Sequence, residues 1–177
     1  MSLYLYEIAA DGAERADATH LIKELDARLY AAGGELIEAQ VTRHPHRIFA
    51  VTEFPAAPPP RLDAASFGVE DISGPDEVRL VGADLDELKA IRPAAGYLVE
   101  WDLPAGLDMQ TYLDRKKAKA PRYADVPEVS FLRTYVRADM YKCLCFYDAP
   151  DESAVRRARE AVDTPVDRLH GLEGPLR

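Results

Sequence analysis

The chain has 177 residues, 47% hydrophobic and 30% charged, enough for one domain or two small ones and unlike disordered or fibrous sequences. A formal charge of −9, from 22 Lys and Arg against 31 Asp and Glu, repels phosphate backbones and argues against nucleic acid as a partner. No apolar run approaches the roughly 20 residues that span a bilayer, and the opening residues lack the basic-then-apolar layout of a secretory signal, so a cytoplasmic protein with no membrane partner is expected.

Leu3 to Ile8 alternates and is rich in aromatics, which predicts a strand. Ala16 to Ala32 sets Ala18, Leu21, Ile22, Leu25 and Leu29 at helical spacing, with Gly33-Gly34 as a C-cap. Leu36 to Thr42 and Arg47 to Glu53 predict a hairpin around His44-Pro45. Phe54 to Pro60 carries four prolines in seven residues and reads as a loop, with 61–76 expected to be irregular as well. Glu77 to Val81 and Asp84 to Ile91 then supply a strand and a short helix.

The second half repeats the order. Gly96 to Leu103 is a strand, and Asp108 caps a helix carrying Met109, Tyr112 and Leu113. Val129 to Val136 and Met140 to Tyr147 form a hairpin, Asp151 caps a helix with an Ala154, Val155, Ala158, Val162 stripe, and Val166 to His170 closes the unit as a strand. Tyr4-Leu5-Tyr6-Glu7 matches Tyr97-Leu98-Val99-Glu100, Gly12 falls near Gly106, and Glu53-Phe54-Pro55 matches Asp148-Ala149-Pro150, which points to an internal duplication. Charge divides accordingly, with 9 basic and 17 acidic residues in 1–94 against 13 and 14 in 95–177. Two units are therefore expected, 1–94 with the proline-rich loop 54–60 and 95–177, the first degenerate because that loop replaces a helix.

Alternation sorts the strand faces. Tyr4, Tyr6 and Ile8, Ile37, Ala39 and Val41, Tyr97, Val99 and Trp101, and Leu132, Thr134 and Val136 make the sides that receive helices. The other sides collect Glu7, Glu38, Gln40, Glu100, Arg133 and Tyr135 among large apolar groups, as two sheets enclosing a polar-lined cavity would. Glu38, Gln40, Glu100, Arg133 and Tyr135 are accordingly candidate ligand-binding residues, with Glu100 expected to pair with Arg133. Cys143 and Cys145, one residue apart, rule out a disulfide framework but turn two thiols to one face, where they suit core packing, a soft metal or redox chemistry. His44 and His46 flank Pro45 and form a second candidate metal pair. Arg115, Lys116, Lys117, Lys119 and Arg122 form a basic cluster that suits a helix end, an anionic ligand or a negative surface. Phosphate-loop, dinucleotide, G-x-S-x-G and H-E-x-x-H motifs are absent from the sequence.

Gly96 to Pro104 (GYLVEWDLP), Phe131 to Val136 (FLRTYV), and Cys143 to Pro150 (CLCFYDAP) with the helix running to Pro165-Val166-Asp167-Arg168 resemble the bacterial domain of unknown function 4242 family, over roughly residues 96–170. The resemblance implies a ferredoxin-like α+β fold, dimerisation through sheet faces in some members, and nickel binding in at least one branch. Members often carry Asn or His about six residues before the closing Pro, where this chain has Arg159.

The expected architecture is an α+β pair of tandem ferredoxin-like units packed as a pseudo-dimeric barrel, which leaves the oligomeric state open and admits a monomer. The expected function is binding of a metal ion, nickel or another divalent cation, or of a small polar molecule, between or beside the sheets. The alternative is a small α+β-barrel enzyme of isomerase, cyclase or monooxygenase type, with Glu7 or Glu100 as base and Arg133 and Tyr135 polarising an oxygen. Such a base needs a pKa raised by burial.

Overall fold

The computed structural model describes residues 2–10, 15–44, 46–56, 58–91 and 94–174. Gly12 and Pro45, named above, and Ala57 of the proline-rich loop lie outside them. The elements run β1 (Ser2–Ala9), α1 (Arg15–Ala31), β2 (Glu35–Val41), β3 (Arg47–Phe54), α2 (Ala64–Phe67), β4 (Asp71–Val81), α3 (Leu85–Ile91), β5 (Tyr97–Asp102), α4 (Met109–Lys119), a 3-10 turn (Ala120–Asp125), β6 (Ser130–Arg137), β7 (Lys142–Asp148), α5 (Glu152–Ala161) and β8 (Arg168–Gly171). The protein is thus an α+β fold with an eight-stranded antiparallel sheet and five α-helices among the described residues. None of those helices is long and apolar enough to cross a membrane.

Local chemistry sets the helix ends. Gly33 adopts φ +92°, and Gly34 N donates to Leu29 O at 2.9 Å, ending α1 where the glycine pair predicts. Asp108 and Asp151 accept from Thr111 N at 2.7 Å and from Ala154 N at 2.8 Å, satisfying free amides at the starts of α4 and α5.

Strand order is β2-β3-β1-β4-β6-β7-β5-β8. The first four strands and the last four therefore follow the same internal order. Thr42, just past β2, bridges Leu172, just past β8, while Arg43 N donates to Gly171 O at 2.8 Å and Glu173 N to Val41 O at 2.7 Å. The two end strands meet, and the sheet closes on itself.

Inside the closed sheet lies one apolar cluster containing Leu3, Leu5, Phe49, Val51, Val78, Leu98, Leu144 and Phe146. A second cluster, with Tyr6, Ile8, Leu21, Leu25, Leu29 and Ile48, packs α1 on the outer side of the first half. A third, with Val99, Trp101, Tyr112, Val136, Val155 and Ala158, does the same for α4 and α5. Alternation assigned β1 and β5 correctly to these sides. In β2 and β6 the expected faces hold beyond the bulges, with Ala39, Val41 and Val136 on the outer side. Before them the faces are exchanged, because β2 is bulged against β3 between Leu36 and Glu38, and β6 against β7 between Phe131 and Arg133. Ile37 belongs to the inner cluster and Leu36 to the outer one, and likewise Leu132 packs inside and Phe131 outside.

Residues 61–76 are also more regular than expected, since α2 lies within them and β4 starts at Asp71. Gly74-Pro75 sits in a register shift of β4 against β1, where Gly74 has φ +102° and an added Cβ would fall 2.3 Å from Leu5 O.

Candidate functional site

Within the closed sheet, Arg133 points inward with Tyr135 by ordinary alternation along β6, which β4 and β7 flank. There its Nε and Nη2 donate to Glu38 Oε2 and Oε1 at 2.8 and 2.7 Å. Tyr135 OH also donates to Glu38, and Gln40 Nε2 does so at 3.1 Å. Arg133 is 1% exposed and lies over the Phe146 ring. Sequence parity therefore brought Glu38, Gln40, Arg133 and Tyr135 together correctly. The expected Glu100–Arg133 pair does not form, because the bulged strand β2 presents Glu38 to Arg133.

Glu100, also 1% exposed, belongs to a separate network. It accepts from Lys142 Nζ at 2.8 Å and Arg168 Nε at 2.9 Å, and its Oε2 lies 2.7 Å from His170 Nε2. Lys142 pairs with Glu7 as well, and Arg168 continues to Asp102 at 2.5 Å. Burial alone would push the Glu100 carboxyl up, but hydrogen bonds from His170 and Lys142, the Lys142 charge and Arg168 outweigh it and hold the group at about 2. That direction opposes the raised pKa a general base at Glu100 requires. In both networks each cation faces a carboxylate, with Arg133 against the Phe146 ring and Lys142 near the Phe49 ring, while Arg133 Nη1 is buried without a hydrogen-bond partner.

The outer side of the second half is different. Cys143 and Cys145 lie under α4 and α5 with their Sγ atoms 3.9 Å apart. Cys145 accepts from Thr134 Oγ1 at 3.2 Å and from Arg159 Nη1 at 3.4 Å. The Cys143 thiol's hydrogen bond, with help from Arg159 and Lys116, holds the Cys145 thiol low; the same bond and burial push Cys143 up. Arg159 comes from the buried stripe of α5, is 2% exposed, and donates further to Tyr147 OH at 3.2 Å and Pro165 O at 2.7 Å. Lys116 from α4 donates to Thr134 Oγ1 at 3.3 Å and lies 4.0 Å from the Phe131 ring centroid, and burial depresses its pKa.

Beside these groups is a cavity of about 30 Å³ walled by Trp101, Tyr112, Tyr123, Arg115, Lys116 and Arg159. Arg115 and Arg159, with Thr164, also line an adjoining open groove of about 520 Å³ that reaches Pro165 and Val166. Lys119 at the cavity edge is paired with Asp163 at 2.5 Å.

His44 and His46 stack at the β2–β3 hairpin, ring centroids 5.7 Å apart, away from the thiols. Among the described residues, no group of three or more His, Cys, Asp or Glu side chains gathers in a way that could hold a metal ion.

Sequence reading missed Lys142, Arg168 and His170 as partners of Glu100. It also missed Trp101, Tyr112 and Tyr123 as cavity walls. A usable signal existed for Arg159, a charged residue set among Val155, Ala158 and Val162 on an otherwise apolar helix stripe.

Residues 97–171 match the family model described as nickel responsive protein SCO4226-like, so this part of the chain is similar to that family. No curated protein matches the chain. Among solved structures, a candidate chlorite dismutase, TA0507, aligns with a TM-score of 0.55 at 14% identity over 98% of this chain and 95% of its own. A candidate monooxygenase from Lactobacillus acidophilus NCFM aligns with a TM-score of 0.50 at 11% identity over 98% and 93%. These two likenesses establish a shared fold over nearly the whole chain.

Proposed function

We propose that the protein is a small-molecule binding protein whose ligand sits beside the second half of the sheet, under α4 and α5, while the closed interior is structural. One contrast carries this reading. Each inner cation is paired with a carboxylate, and Arg133, although its Nη1 has no hydrogen-bond partner, is met by Glu38. The outer cavity is walled by Arg115 and Arg159, which have no carboxylate ion pair among the described residues and each keep a buried Nε without a hydrogen-bond partner. The scaffold is read as two ferredoxin-like units, 1–94 and 95–177, fused into a pseudo-dimer. Supporting this are the repeated strand order, the bulges of β2 and β6 at corresponding places, and the matched positions of Glu7 opposite Phe49 and Glu100 opposite Leu144.

Spectra of the ¹⁵N-labelled chain titrated with benzoate and its neutral analogue benzamide test the site. Shifts of the Trp101 indole and of amides in α4 and α5, with either probe, are expected; shifts confined to β1, β2 and β6, or none with either, overturn the reading. The similarity to a nickel-responsive family favours a second reading, in which nickel or another divalent cation is the ligand and Cys143 and Cys145, or His44 and His46, are donors. Nickel(II) binding tighter than about 0.1 mM, lost on replacing either pair with Ser or Ala, supports it; weaker binding removes it.

A further inference from the structure

We propose that the cavity beside Trp101 takes a monocarboxylate with a small apolar body, its carboxylate held by Arg159, Lys116 and Arg115; the inference rests on the binding-site reading above and names the ligand's chemistry.

Charge balance is the first ground. Arg115, Lys116 and Arg159 all line the cavity, and none forms an ion pair with a carboxylate among the described residues. Arg159 donates to a thiol, a phenol and a carbonyl, Lys116 to a hydroxyl, and Arg115 Nη2 to the Asp163 carbonyl at 2.6 Å. Three cations therefore converge against the Cys145 sulfur and, for Arg115, the nearby Asp163 carboxylate, which Lys119 already pairs. Carrying a cation out of water without a matching anion is costly, and in a chain of net charge −9 this convergence is a local inversion of the global field. The unsatisfied Nε–H groups of Arg115 and Arg159 are the second ground, because a guanidinium fork with a spare donor suits a planar oxyanion.

Shape limits the ligand. One water needs roughly 10–15 Å³ on this measure, so about 30 Å³ admits a head group and not a whole metabolite. Trp101, Tyr112 and Tyr123 make much of the wall apolar, and the groove toward Pro165 and Val166 gives the body a way out. Glu160, Asp163 and Arg156 also border that groove, so its charges are mixed, and the small volume and aromatic wall, rather than the groove's charge, set the ligand as a single head group on an apolar body. A single carboxylate on an apolar frame meets these conditions better than a polyanion.

Trp101 is the chain's sole tryptophan, so its fluorescence reports on the cavity directly. Benzoate, benzamide and inorganic phosphate are titrated into the full-length protein at low salt and again at high salt. Benzoate is expected to bind at least 10-fold more tightly than benzamide, to weaken with salt, and to lose at least 10-fold in affinity in both Lys116→Met and Arg115→Gln, each checked for an unchanged far-ultraviolet spectrum. Arg159→Met serves as a third variant if it folds. Equal binding of benzoate and benzamide at Trp101 overturns the anion claim and leaves the binding site standing. Tighter binding of phosphate than of benzoate overturns the apolar body. Absence of any response overturns both the ligand class and the site.

Discussion

Glu100 shows how a single side chain's role can be read backwards from sequence. Alternation correctly put it on an inward face, and an inward carboxylate invites a catalytic reading. Three basic neighbours, unidentifiable until β5 pairs with both β7 and β8, turn it into the anchor of an ion-pair network. Since the folded state holds this carboxyl at about 2 against an ordinary value of 4.5, its contribution to stability is complete above the ordinary value and is lost as pH falls from there toward 2. Roughly 3 kcal/mol of stability is at stake at neutral pH. Urea midpoints measured between pH 7 and pH 3 should therefore fall more steeply for the native chain than for Glu100→Gln, which lacks the titrating group. Parallel curves would show that the network leaves the Glu100 carboxyl untouched.

At the level of elements, the signals that survived are those with a local mechanism. Asp108 and Asp151 cap α4 and α5, and the Gly33-Gly34 pair ends α1, because each depends on a few consecutive residues. Replacing Asp151 with Ala should lower stability by about 1 kcal/mol, and Asp151→Asn should retain nearly all of it, as read from denaturant midpoints. The bulges of β2 and β6 were illegible because nothing in Leu36, Ile37 and Glu38, or in Phe131, Leu132 and Arg133, departs from ordinary alternation. The partner strand decides where an extra residue is absorbed. β4 was half hidden for the opposite reason, since Gly74-Pro75 looks like a chain break while the register shift against β1 accommodates it. The cavity combines both limits. Its cations stood out as a basic cluster on α4, but Arg159 and Trp101 reach it from α5 and β5, whose proximity is a product of tertiary packing.

Across the whole molecule, the repeated strand order makes the halves look interchangeable, yet the pair at the centre of the closed sheet says otherwise. Glu38 and Arg133 stand at corresponding places in β2 and β6, each just past its bulge, and they bind each other. In an assembly of two identical halves, each would face a copy of itself. Two second halves would set Arg133 against Arg133 in a dry interior, and two first halves would oppose carboxylates, arrangements costing several kcal/mol. Separately produced segments 1–94 and 95–177 should therefore combine one-to-one and shun self-pairing, as native mass spectrometry can record; a stable homodimer or folded monomer of 95–177 contradicts this. The repeated strand order thus carries a lock and key at its centre. Reversal of the Glu38–Arg133 charge difference would be required before either half could stand with its own kind, so one continuous chain secures a pairing that neither half makes with a copy of itself.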